Sequence, residues 1–115
     1  MVANVFVIGL GLIGGSLGLA LRGTRPVKTV NGFDIDPQTL QQALQIGAID
    51  AGVTLTVGAA EADVIIICAP LRFYPGIIEE IKPYLKPGCI VTDVGSTKQP
   101  VMQLFNVFLH FSASF

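Results

Sequence analysis

The chain has 115 residues, enough for one domain of ordinary size. Of these, 51% are hydrophobic and 13% charged, with a mean hydropathy of +0.67 and a net charge of −1. So few charges fit a parallel sheet buried on both faces, whose strands read as unbroken apolar runs. A near-neutral chain with a pI near 5.6 offers no basic face to neutralise nucleic-acid phosphates.

The run from Val5 to Leu21 is apolar except for Ser16 and is short for a membrane span. No positive charge precedes it, and its five glycines are costly in an ordinary helix. It divides better into a strand over Asn4–Gly9, a glycine turn, and a helix from Leu12 to about Arg22. A second strand is expected over Thr29–Asp34. Asp36 then caps a helix that opens at Pro37 and stops at Gly47. Between Ala51 and Ala60, the alternation of Val53, Leu55 and Val57 reads as a short strand. Ala62–Cys68 is the clearest buried strand. A helix over Ile77–Leu85 and a strand over Cys89–Val94 complete the pattern. Strands alternating with helices at these lengths predict an α/β fold, a doubly wound parallel sheet of the Rossmann type. Right-handed crossovers favour the strand order 3-2-1-4-5. Cys68 and Cys89 lie inside apolar runs without metal-ligand or redox spacing, so no metal site is expected.

Gly9-Leu10-Gly11-Leu12-Ile13-Gly14 matches G-x-G-x-x-G where the first strand meets its helix. Gly9 permits the tight turn, Gly11 lets a pyrophosphate approach the backbone, and Gly14 lets helix and strand pack closely. The helix N-terminus adds free N–H groups and partial positive charge. Asp34 lies twenty residues beyond Gly14, at the end of the second strand. A carboxylate there accepts hydrogen bonds from the adenosine ribose hydroxyls and repels a 2′-phosphate. Ile35 and Asp36 follow it with no arginine, so the expected cofactor is NAD rather than NADP.

Three segments carry a closer likeness: V-I-G-L-G-L-I-G-G-S-L (Val7–Leu17), G-F-D-I-D-P (Gly32–Pro37) and V-T-D-V-G-S-T-K (Val91–Lys98). Between about Val5 and Gln103 the chain resembles the prephenate and arogenate dehydrogenases of tyrosine biosynthesis. The resemblance implies hydride removal from the ring carbon that bears prephenate's hydroxyl. Carbon dioxide is lost as the ring becomes aromatic, giving 4-hydroxyphenylpyruvate. Ser96 matches the family serine that hydrogen-bonds the substrate hydroxyl and the catalytic histidine. Ala69 and Pro70 match the cofactor-contact loop, and Lys98 matches a position able to serve substrate charge. The expected cofactor residues are thus Gly9, Gly11, Leu12, Ile13, Gly14, Asp34, Ala69, Pro70 and Gly95, with Ser96 catalytic.

The family's general base sits in an H-P-x-x-G segment. The one histidine here, His110, lies in F-L-H-F-S with no proline after it, so the base is not carried onto it. The chain is expected to be the cofactor half alone, a dinucleotide-binding domain over 1–103 and an atypical apolar tail over 104–115. That tail holds Phe105, Phe108, Phe111 and Phe115, and an apolar tail of this kind invites association into homo-oligomers. The expected setting is cytoplasmic, with a small-molecule substrate and neither nucleic acid nor membrane as partner. Two other classes share the glycine turn and acid: an arogenate or β-hydroxyacid type NAD(P) dehydrogenase, and a non-catalytic dinucleotide sensor. A sensor has no need of Ser96 and Lys98, which favour an enzyme.

Overall fold

The computed structural model describes residues 3–94. Five parallel strands, β1 (Ala3–Ile8), β2 (Val27–Phe33), β3 (Ala51–Gly52), β4 (Val64–Ile67) and β5 (Ile90–Asp93), form one sheet in the order β3-β2-β1-β4-β5. Helices α1 (Leu12–Leu21), α2 (Pro37–Gln45), α3 (Leu55–Glu61) and α4 (Tyr74–Ile81) fill the crossovers. Strand β1 pairs with both β2 and β4, so the strand order reverses beside it. The strands stay paired to their carboxyl ends, but the chain leaving β1 turns to α1 on one face and the chain leaving β4 to α4 on the other, opening the crevice where ligands of such sheets bind.

The apolar runs split by parity, as a pleated strand requires. Val5 and Val7 of β1 join Val64 and Ile66 of β4 in one core with Leu17 and Leu21 of α1 and Ala43 of α2. Phe6, Ile8, Ile65 and Ile67 point the other way, into a second core with Ala59 of α3 and Ile81 of α4. Both faces are covered, which is why β1 and β4 show no polar alternation. The apolar run 5–21 is thus a strand and a ten-residue helix joined at the glycine turn. Among the described residues, no helix is long and apolar enough to cross a membrane.

Helix α2 begins as its sequence predicts: Asp36 accepts the Gln38 N–H at 3.0 Å, and Pro37 occupies the first turn. Gly47, at φ +79°, ends it. Two expectations need correction. Only Ala51 and Gly52 pair with β2, and Leu55–Glu61 is helical rather than extended. The Thr54 hydroxyl accepts the Val57 N–H at 3.3 Å and starts that helix. Leu55, Gly58, Ala59 and Ala62 then recur at helical spacing, with Gly58, Ala59 and Ala62 buried. The helix expected over Ile77–Leu85 begins earlier, at Tyr74, with Pro75 in its first turn, and ends at Ile81. Short 3₁₀ turns at Leu71–Phe73 and Lys82–Tyr84 flank it.

Candidate cofactor site

The site is built on the turn between β1 and α1. Gly9 has φ +95°, a conformation that costs glycine nothing and other residues much. A Cβ there would also stand 2.8 Å from the Ala69 nitrogen and 2.9 Å from the Cys68 carbonyl carbon. The turn is therefore pinched against the loop that follows β4. Gly14, buried on α1, faces the Gly9 carbonyl oxygen so closely that a Cβ would collide with it.

Gly11 differs from both. It is exposed, its φ of −68° suits any residue, and a Cβ on it would meet nothing within 4 Å. Packing within the folded chain thus does not require a glycine there, whereas close approach from outside does. Gly11 is also the N-cap of α1, with no side-chain cap and no acid in the first turn. The first amides of the helix, which lack intrahelical partners by construction, keep their donors and the positive end of the dipole for an anion. A diphosphate fits this cradle.

Asp34 follows β2 and is half-buried. Its Oδ2 accepts the Leu10 N–H at 2.8 Å and its Oδ1 accepts the Asp36 N–H at 2.9 Å. Ile35 beside it is 86% exposed. Gly9, Gly11, Asp34, Ala69 and Pro70, all expected cofactor residues, line one cavity of about 560 Å³ at the carboxyl edge of the sheet. Leu12, Ile13 and Gly14 of the same motif do not line it: Leu12 is 88% exposed and Gly14 is buried under the turn. Phe33, Leu55, Phe73 and Ile77 form apolar walls that sequence reasoning missed, and Glu80 adds a second carboxylate. Helices α3 and α4 and the 3₁₀ turn supply most of them, so their place depended on tertiary packing and carried no local signal. Gly95, Ser96, Lys98, His110 and the 104–115 tail lie outside the described residues. Strand β5 does run toward this edge, with Asp93 level with Ile67 and the Val94 N–H donating to the Ile67 carbonyl at 3.1 Å.

Cys68 also lines the cavity. Burial, with the Asp93 carboxylate nearby, pushes its thiol up to about 12. The thiol therefore stays neutral near neutral pH and presents no anion to a phosphate group.

A family model described as prephenate dehydrogenase, nucleotide-binding domain, matches residues 17–115. The chain belongs to the prephenate dehydrogenase family. Within that family it is 37% identical over 104 residues to a prephenate dehydrogenase of Lactococcus lactis, covering 90% of this chain and 29% of the relative. A cyclohexadienyl dehydrogenase of Zymomonas mobilis is 32% identical over 102 residues, covering 87% and 34%. The crystal structure of prephenate dehydrogenase from A. aeolicus, in complex with hydroxyphenyl propionate and NAD+, matches with a TM-score of 0.75 and 29% identity. It covers 93% of this chain and 38% of that one. Synechocystis arogenate dehydrogenase matches with a TM-score of 0.72 and 32% identity, covering 89% and 37%. The chain thus carries the family's nucleotide-binding domain and spans roughly a third of its relatives' length.

Proposed function

We propose that this domain holds NAD for the oxidative decarboxylation of prephenate to 4-hydroxyphenylpyruvate, a step of tyrosine biosynthesis. The observation that carries the cofactor reading is the pairing of Gly11 with Asp34 in one cavity: an open backbone position beside a carboxylate with acceptor sites to spare. The α1 amides receive the diphosphate, and Asp34 accepts hydrogen bonds from the adenosine ribose hydroxyls. Its charge disfavours a 2′-phosphate, and Ile35 offers no cation to relieve that repulsion. When bound, NAD supplies a hydride acceptor, and loss of carbon dioxide leaves the substrate ring aromatic. Ser96, three residues beyond β5, holds the substrate hydroxyl in this reading, supported by the family resemblance of D-V-G-S-T-K.

Calorimetric titration with NAD and NADP tests the cofactor. NAD is expected to bind more tightly, and equal or tighter NADP binding refutes the assignment. For the reaction, NADH formation is measured with prephenate and with arogenate in the protein that carries this domain. Turnover of prephenate is expected, with Ser96→Ala lowering kcat more than NAD affinity; turnover of arogenate alone transfers the assignment to arogenate. We also infer, from the apolar 104–115 segment, that copies of the chain associate. A strictly monomeric full chain by sedimentation removes that inference.

A further inference from the structure

Asp34 is engaged by two backbone donors before any ligand arrives. Its Oδ2 takes the Leu10 N–H at 2.8 Å and its Oδ1 takes the Asp36 N–H at 2.9 Å. Leu10 stands between Gly9 and Gly11, in the middle of the phosphate-binding turn. The amide before it, that of Gly9, donates to the Phe33 carbonyl at 2.8 Å. Two successive amides of the turn are thereby fastened to two successive residues at the end of β2. An ionised carboxylate offers about four acceptor sites. With two filled by backbone, a pair remains, enough for the two neighbouring hydroxyls of a ribose.

We propose that Asp34 is a positioning residue for the phosphate-binding turn as well as a ribose acceptor. Through Leu10 it latches the turn in the shape that receives a diphosphate, so ribose and diphosphate recognition are coupled through one side chain. This rests on the dinucleotide reading above and deepens it. Neither close substitute can serve both ends. Asparagine turns one accepting oxygen into an N–H group that faces a backbone donor. Glutamate keeps the charge but carries it one methylene further, out of register with Leu10 and Asp36. Replacing Asp34 to admit NADP would therefore loosen the diphosphate cradle along with removing the repulsive charge.

The test uses the full chain, its Asp34→Asn and Asp34→Glu variants, and two probes, ADP and 2′,3′-dideoxy-ADP, with affinities measured by calorimetry. The dideoxy probe has no ribose hydroxyls to lose. It is nevertheless expected to bind both variants at least about tenfold more weakly than wild type, as losing one hydrogen bond to a charged group implies. Removing a negative charge beside a diphosphate would by itself tighten binding, so weakening in Asp34→Asn cannot come from charge. Amide hydrogen exchange gives an independent reading: Leu10 is expected to exchange faster in both variants, with Val7 of β1 unchanged. Dideoxy-ADP affinity unchanged or improved in both variants overturns the latch, as does unchanged exchange at Leu10. Unfolding of both variants overturns it too, because Asp34 would then belong to the scaffold. Failure of wild type to bind ADP rejects the nucleotide reading instead, and Leu10 exchange still reports on the latch.

Discussion

Gly14 lies directly against the carbonyl oxygen of Gly9, so that one methyl group on α1 would overlap the backbone of the turn that precedes it. The obstacle is main chain, which cannot rotate away as a flexible side chain would. Gly14→Ala gains about 1 kcal/mol of helix propensity, yet overpacking at a fixed contact costs roughly 1–3 kcal/mol. A net loss of stability is expected in urea unfolding. A variant as stable as wild type would mean that α1 can slide off β1 without cost.

Gly11→Ala should behave in the opposite way. With nothing within 4 Å of the added methyl and an ordinary φ of −68°, the fold has no reason to object. A weaker N-cap and a stiffer unfolded chain each count for about 0.5–1 kcal/mol with opposite signs. The midpoint of unfolding is expected to stay put while NAD affinity falls at least about tenfold, the loss of roughly 1.4 kcal/mol of contact. Unchanged NAD binding would remove the diphosphate from this turn.

These two glycines also mark how far the sequence could be read. The spacing of the motif was legible, and so was Asp34, because a strand end and a turn are set by neighbours in the chain. Asp36 and Pro37 announced α2 for the same local reason. Helix α3 escaped because Val53, Leu55 and Val57 alternate, while the residues it buries, Gly58, Ala59 and Ala62, have little or no side chain and signal weakly. The apolar cavity walls at Phe73 and Ile77 come from beyond β4, a distance across which residue spacing says nothing about contact. The Leu10 amide is a backbone group, so no residue type could betray its bond to Asp34.

At the sheet's other side, Asp50 supports β2 in a way that Arg22 does not. Their ion pair spans 2.8 Å with side chains 40% and 36% exposed, where solvent leaves such pairs about 0–1 kcal/mol. Asp50 Oδ2, however, also accepts the N–H of fully buried Val30 at 2.8 Å, next to a β3 only two residues long. Arg22→Ala, which also removes an exposed bond from the guanidinium to the Gly47 carbonyl at 2.6 Å, is therefore expected to cost no more than about 1 kcal/mol. Asp50→Ala should cost about 1–3 kcal/mol, because it strands a backbone donor. Equal losses in denaturant unfolding would show that the ion pair, not the Val30 bond, is what matters.

Asp63 should govern part of the acid sensitivity of the fold. It precedes β4, and its Oδ2 accepts the Asn4 N–H while its Oδ1 accepts from Lys86 Nζ, each at 2.8 Å. Its own N–H donates to the Asn4 carbonyl at 2.8 Å and its carbonyl accepts the Ile90 N–H at 3.0 Å, so it joins β1, β4 and β5. The Asn4 bond first, and then the Lys86 bond, hold its carboxyl below the ordinary value of 3.8. A lowered folded-state value means the unfolded chain binds the proton more readily. The stabilisation is thus fully present above the unfolded value and is lost as pH falls through 3.8 toward the folded value. Wild type should be more stable than Asp63→Asn near neutrality, and the gap should narrow once the medium is more acidic than about pH 4. Lys86→Ala should lose less than Asp63→Asn, since the Asn4 bond survives it and the ion pair is partly solvated, with both side chains 39% exposed. Urea unfolding of the three proteins across that range provides the measurement, and a gap that stays constant down to pH 3 would show that Asp63 titrates alike in folded and unfolded chains.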